Sequence, residues 1–200
     1  MPTNNAWNIP IPVPITLDGT NATSFSTVNG IVKYDGTRLV SSSTALIDSS
    51  NRYTNTSQPA FSAYKSANTT NATGNGATYS YICDTSNFNV GSSYNTGTGV
   101  FTAPVDGKYF FQTTIALSNC LAASYINLYI VTTSRTYQVA TSRAAGSGDL
   151  GYSISIMVHM GLNDTAYPQV SVSGEASNRD TVNGSGPYYT STVFEGYLMC

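Results

Sequence analysis

From residue 108 to 117 the chain reads Lys-Tyr-Phe-Phe-Gln-Thr-Thr-Ile-Ala-Leu, with a large side chain at almost every second position. Successive residues of an extended chain point to opposite sides, so Tyr109, Phe111, Thr113, Ile115 and Leu117 share one face of a strand. Phe110 falls on the other face. A strand that is partly apolar on both faces belongs between two layers or between two subunits. Residues 153–160 repeat the alternation, with Ile154, Ile156, Val158 and Met160 inward and Ser153, Ser155, Met157 and His159 outward. Residues 125–131 place Ile126, Leu128 and Ile130 on one face and Tyr125, Asn127, Tyr129 and Val131 on the opposite one. Shorter strands are expected at 61–64, 78–83, 136–140, 169–173 and 192–199. Stretches rich in Gly, Ser, Thr and Asn separate them, with loops expected at 66–76, 144–151 and 174–187. No segment carries a helical period. Many short strands punctuated by polar turns specify an all-β sandwich.

The first 56 residues are patterned differently. In residues 1–20, Pro10, Pro12 and Pro14 alternate with Ile9, Ile11, Val13 and Ile15, next to Trp7. Proline removes backbone donors and drives its predecessor to extended geometry, so this segment is expected as an apolar arm rather than a central strand. Residues 21–56 read as a short β-rich module. It has a hairpin about Asp35-Gly36, a polar break at Ser41-Ser42-Ser43 and a short strand over 44–48. The main domain is expected over 57–200.

One stretch ties these strands to a known family. Phe101-Thr102-Ala103-Pro104-Val105-Asp106-Gly107-Lys108-Tyr109-Phe110-Phe111 resembles the Phe-Thr-x-Pro-x-x-Gly-x-Tyr-x-Phe motif of the C1q globular domain, in the C1q/tumour-necrosis-factor superfamily. Other signals follow in the family's order. Pro59-Ala60-Phe61-Ser62-Ala63 is similar to its opening strand, and Asn89-Val90-Gly91-Ser92-Ser93-Tyr94 matches an Asn-x-Gly-x-x-Tyr spacing. Gly161-Leu162-Asn163-Asp164 is similar to a late turn, with Asn163 where the family has Gly. Thr192-Val193-Phe194-Glu195-Gly196-Tyr197-Leu198 resembles its closing strand. The resemblance implies a ten-strand jelly roll that assembles as a compact homotrimer. With the two-faced runs noted above, it makes Tyr109, Phe110, Phe111 and Tyr129 the candidate trimer-interface residues.

Composition narrows the function classes. Only 9% of the 200 residues are charged and the net charge is −2, so nothing provides an electrostatic footprint for nucleic acid or an anionic membrane. No apolar run is long enough to span a bilayer as a helix. The first residues lack the basic region of a secretory signal. A chain of extracellular character without that signal is expected to be a virion-surface protein; a chain cut from a longer secreted protein is the alternative. The three cysteines, Cys83, Cys120 and Cys200, form neither a disulfide framework nor a zinc spacing.

No catalytic constellation is visible. His159 is the only histidine and is expected at a surface or interface. The acids stand singly, no phosphate loop opens a helix, and Asp84, Asp149, Asp164 and Asp180 form no oxygen-dense metal loop. No enzyme activity, cofactor or metal is therefore expected. The expected function is a trimeric spike or fibre head. Its arm would dock on a capsid or tail protein through Trp7, Ile9, Ile11 and Val13. Its loops at 66–76, 144–151 and 178–189 would meet a host-surface glycan or protein, with Arg179, Tyr188 and Tyr189 as anchors. The alternative is a secreted C1q-like recognition module.

Overall fold

The computed structural model describes residues 30–34, 39–47, 50–142, 148–185 and 191–199. The chain divides into two compact units, Met1–Ser57 and Gln58–Cys200. In the first, β1 (Gly30–Tyr34), β2 (Leu39–Ile47) and β3 (Tyr53–Asn55) form an antiparallel sheet in that order. Tyr34 pairs with Leu39, so strands flank the expected hairpin, whose turn lies outside the described residues. The serines expected to break the strand instead lie within β2. Its pairing with β1 jumps from Val32↔Ser41 to Gly30↔Leu46, and the Ser42 hydroxyl accepts the Ala45 N–H at 2.9 Å. A polar run thus becomes an irregularity inside a strand, because a side-chain acceptor replaces a missing ladder partner.

The second unit contains β4 (Ala60–Tyr64), β5 (Thr69–Thr73), β6 (Thr78–Ser80), β7 (Thr85–Val90), β8 (Tyr94–Asn95), β9 (Val100–Thr102), β10 (Gly107–Ser118), β11 (Tyr125–Thr132), β12 (Thr136–Ser142), β13 (Leu150–Met160), β14 (Thr165–Ser173), β15 (Asp180–Val182) and β16 (Val193–Leu198). Four of these thirteen strands have three residues or fewer, and no helix occurs among the described residues. They form two antiparallel sheets, a jelly-roll sandwich. In the first sheet, one edge of β10 pairs with β13 from Gly107↔Met160 to Leu117↔Leu150. Its other edge pairs with β16 and then β15, and β16 continues to β4 and β7. The second sheet runs β12-β11-β14-β9-β8, with β6 also on β14.

The core lies between the sheets, on the faces the alternation marks. Tyr109, Phe111, Thr113, Ile115 and Leu117 of β10 are all fully buried, as are Leu128 and Ile130 of β11. At one end aromatic rings dominate. Phe61 stacks on Tyr94 at 4.6 Å between centroids and meets Phe194 edge-on at 5.1 Å, while Phe101 meets Phe111 edge-on at 5.1 Å. A buried polar relay also crosses this core. The Thr113 hydroxyl donates to the Val193 carbonyl at 2.7 Å, so the Tyr81 hydroxyl, 2.7 Å from Thr113 Oγ1, must be the donor to it. The expected loop at 66–76 is corrected: it holds β5, which pairs with β15.

Candidate assembly and recognition surfaces

The family-like stretches meet at one corner of the sandwich. The Asn89 side chain clasps the backbone of Tyr94, donating to its carbonyl at 2.7 Å and accepting its N–H at 3.2 Å. That holds the Tyr94 ring against Phe61. Beyond β9, Ala103 and the 161–164 turn exchange backbone hydrogen bonds, Ala103 N–H to Asp164 C=O and Asn163 N–H to Ala103 C=O, each 2.8 Å. Asn163 has φ 71°. This is the left-handed region that Gly enters freely and Asn tolerates, which explains how Asn serves at this position. The Tyr109 hydroxyl closes the corner by donating to the Val105 carbonyl at 2.8 Å.

The same register lays out the outer face of the first sheet. Met157 opposes Phe110, Phe110 opposes Tyr197, Tyr197 opposes Ala60 and Ala60 opposes Val90. One apolar row therefore crosses five strands. Met157 is 60% exposed and Tyr197 45%, and the Phe110 and Tyr197 rings lie 5.4 Å apart. Beside the row, Phe88 is 51% exposed and opposes Ser62 on the neighbouring strand. A groove of about 290 Å³ opens there, walled by Phe88, Phe110 and Tyr197 with Phe61 and Gly196 at its floor. The flanking rows are polar. On one side stand Ser155, Gln112, Glu195 and Ser62, with Ser62 donating to Glu195 at 2.7 Å; on the other are His159 and Lys108.

Tyr109 and Phe111 are corrected as interface residues: both are 0% exposed within the chain's own core, leaving no surface for a second copy. Phe110 and Tyr129 are half-buried but sit on different sheets, Phe110 in the apolar row and Tyr129 on β11 with its hydroxyl 3.2 Å from Ser171 Oγ. Sequence reasoning placed Met157 outward, as the structure does, but missed Phe88 and Tyr197 as surface groups. Met157 did carry a signal, as the one large apolar side chain in the outward phase of 153–160. Arg179 is exposed, with Nε 3.9 Å from Glu175 Oε2. Tyr188 and Tyr189, like Trp7, Ile9, Ile11 and Val13, lie outside the described residues.

Chemically reactive arrangements are sparse. His159 Nε2 lies 3.2 Å from Asp106 Oδ1 in a solvent-exposed pair. Burial pushes the Cys83 thiol up to about 12, which makes it a packing group rather than a nucleophile. Among the described residues no three His, Cys, Asp or Glu side chains group as a metal site.

The C1q domain family matches residues 60–199. The chain belongs to that family. Its C1q-type sandwich superposes on the globular domain of zebrafish complement 1qA protein with a TM-score of 0.51 at 17% identity, covering 72% of this chain and 98% of that one. The PRD1 vertex protein P5 superposes with a TM-score of 0.51 at 14% identity, again covering 72% and 98%. At such identities the likeness is one of fold. None of the curated proteins compared matches the chain.

Proposed function

We propose that this C1q-type chain is a non-enzymatic virion-surface protein, the head of a spike or fibre, which assembles as a homotrimer and binds a host-surface glycan or protein. The observation that carries the reading is the apolar row Met157–Phe110–Tyr197–Ala60–Val90. Such a row, bordered by polar rows, has the layout of an interface core with its rim. Its side chains contribute nothing to the chain's own interior. Fold likeness to a vertex protein supports a place on the outside of a particle. Arg179, Tyr188 and Tyr189 are the proposed receptor contacts. Residues 1–20, through Trp7, Ile9, Ile11 and Val13, are the proposed attachment to a capsid or tail protein. A secreted recognition module is the second reading, favoured by the likeness to complement 1qA; it shares the head and the assembly face.

Sedimentation equilibrium on the intact chain tests the assembly. The expected mass is three times the 21.2 kDa of one chain. Phe110→Asp combined with Tyr197→Asp should return single-chain mass with the β-sheet circular dichroism retained, because six unpaired carboxylates would be buried per trimer. A wild-type monomer at roughly 10 µM, where a stable complex persists, or a variant that stays trimeric, overturns the proposal.

A further inference from the structure

The outward positions of the second sheet form a surface that neither the core nor the apolar row uses. β11 turns Tyr125, Asn127, Tyr129 and Val131 away from the core, in alternation with buried Ile126, Leu128 and Ile130. Register lays two rows across them. Gln138, Tyr129, Gln169 and Ser80 oppose one another in turn across β12, β11, β14 and β6. Ala140, Asn127, Ser171 and Thr78 form the next row. No outward position on β6, β8, β9, β11, β12 or β14 carries a charged side chain. The outer face of the first sheet, by contrast, holds Lys108, Glu195 and His159.

Tyr129 is fixed at the middle of this face. Its hydroxyl lies 3.2 Å from Ser171 Oγ, which also accepts the Asn127 Nδ2–H at 3.2 Å. Ser171 is diagonal to Tyr129 on the neighbouring strand. A tyrosine standing upright on a sheet carries its hydroxyl well above a serine, so this contact requires the ring to lean over Ser171. Ser171 accordingly points outward yet is only 4% exposed. One face of the Tyr129 ring is therefore turned to solvent in a set orientation. Beside it, Gln169 Nε2 donates to Ser80 Oγ at 2.8 Å, which fixes that amide, and Gln138 on the other side is exposed. Tyr167 lies diagonal to Tyr129, about 7–8 Å away. Tyr125, 42% exposed, lies four residues along β11, roughly 13 Å away. The three rings make a track along the sheet.

We propose that this face is a binding site for a neutral glycan, with the Tyr129 ring as its platform and Gln138 and Gln169 beside it. A pyranose presents an apolar C–H face bordered by hydroxyls that both donate and accept. An aromatic ring matches the first, and amides, which also donate and accept, match the second. With no Lys or Arg on the face, nothing pairs with a carboxylate or sulfate, so acidic glycans are disfavoured. A protein partner is the poorer match, because protein interface cores draw on Trp, Phe, Met and Arg, none of which this face holds. A ring fixed before the ligand arrives lowers the ordering cost of binding. Repeating the face in each copy of an assembly multiplies weak single-site binding. The proposal rests on the reading of the chain as a recognition head and names its ligand class. It places binding on β11, β12 and β14 rather than at Arg179, and needs no residue from a second copy.

The test applies the intact chain to an array of immobilised hexasaccharides of glucose, mannose, galactose and N-acetylglucosamine. Sialylated glycans, sulfated glycans and unglycosylated peptides share the array. Saturable retention on at least one neutral glycan is expected, and titration with that free hexasaccharide should reproduce it. Tyr129→Ala should weaken binding by about tenfold, and Gln169→Ala should weaken it less. Gln138→Arg puts bulk and charge at an exposed position, so it should weaken binding at least as much as Tyr129→Ala with the melting temperature unchanged. That variant decides the matter if Tyr129→Ala does not fold. Arg179→Ala should bind as wild type, which separates this face from the proposed loop contacts. Failure to retain any neutral glycan overturns the proposal, as does retention that all three sheet variants preserve or that Arg179→Ala abolishes. Retention confined to acidic glycans or to the peptides overturns it too, the latter assigning the face to a protein. A Gln138→Arg chain of lowered sedimentation mass assigns the face to a second copy, with the same consequence. A monomeric wild-type chain that binds the free hexasaccharide through Tyr129 refutes the assembly reading alone and leaves this site standing.

Discussion

Replacing Gly196 by Ala probes the physical centre of the C1q-type domain. Gly196 lies on β16, opposite Phe111 of β10 on one side and Phe61 of β4 on the other. A Cβ there would stand 2.5 and 2.8 Å from two atoms of the Phe111 ring and 2.9 Å from Phe61 Cε1. Non-bonded carbons prefer about 3.5–4.0 Å, so the methyl overlaps both rings by roughly 1 Å. Neither ring is free to retreat, since Phe61 is stacked on Tyr94 and Phe101 while Phe111 packs against Phe101, Tyr109 and Phe194. Overpacking typically costs about 1–3 kcal/mol, and a clash with two pinned rings belongs at or just above the top of that range, about 3–4 kcal/mol. The better strand propensity of Ala returns at most about 1 kcal/mol. The expected net destabilisation is about 2–3 kcal/mol. For a chain of this size that lowers the melting temperature by roughly 4–12 °C, read by circular dichroism at fixed protomer concentration. Phe111→Leu should relieve the clash, so the double variant should lose less than the two single losses combined, with a coupling of about 1–2 kcal/mol. A Gly196→Ala protein within about 0.5 kcal/mol of wild type, or strict additivity in the cycle, would refute the reasoning.

Three further outcomes follow from buried and partly buried polar groups. Tyr81→Phe removes one hydrogen bond from the interior relay and should cost about 1 kcal/mol in urea unfolding. Thr113→Val, although near-isosteric, strands both the Tyr81 hydroxyl and its bond to the Val193 carbonyl, so it should cost more, about 2–3 kcal/mol. At Asp84 burial works against ionisation, but the Ser66 N–H and hydroxyl at 2.8 and 2.9 Å, with the Lys65 charge and Thr85, outweigh it and hold the carboxyl below its ordinary 3.8. A depressed native value means that the group's stabilisation is present above that ordinary value and lost as pH falls through and below it. Asp84→Asn should therefore flatten the acid limb of stability against pH, while an unchanged limb would show that Asp84 is not linked to folding.

The expectations that failed did so for identifiable reasons. Residues 69–73 read Thr-Thr-Asn-Ala-Thr, which has neither alternation nor bulk. They become β5 because β15 offers a ladder, Asp180↔Thr73 and Val182↔Thr69, and because the Thr73 hydroxyl accepts the Val172 N–H at 3.0 Å. Tyr109 and Phe111 were expected at an interface because bulky groups occupied both phases of β10. Only the second sheet, closing over one phase, shows that these two are interior and Phe110 alone faces outward. Asp180 is buried and gave no warning either, since a single Asp in a polar loop looks solvated until Glu175 and residues 119–122 are folded around it.

The amino-acid order on its own determined the strand phases of residues 108–117, 125–131 and 153–160, and the C1q-like motifs from Phe101 to Phe111 and from Thr192 to Leu198. These depend on period-two alternation and turn chemistry, which act over a few neighbours. Only the tertiary structure decided which outward residues form one surface and which acids lose their water. Cross-strand register joins Met157, Phe110, Tyr197, Ala60 and Val90, which lie between positions 60 and 197 of the chain. No local pattern encodes that register, because it is settled by the simultaneous packing of two sheets.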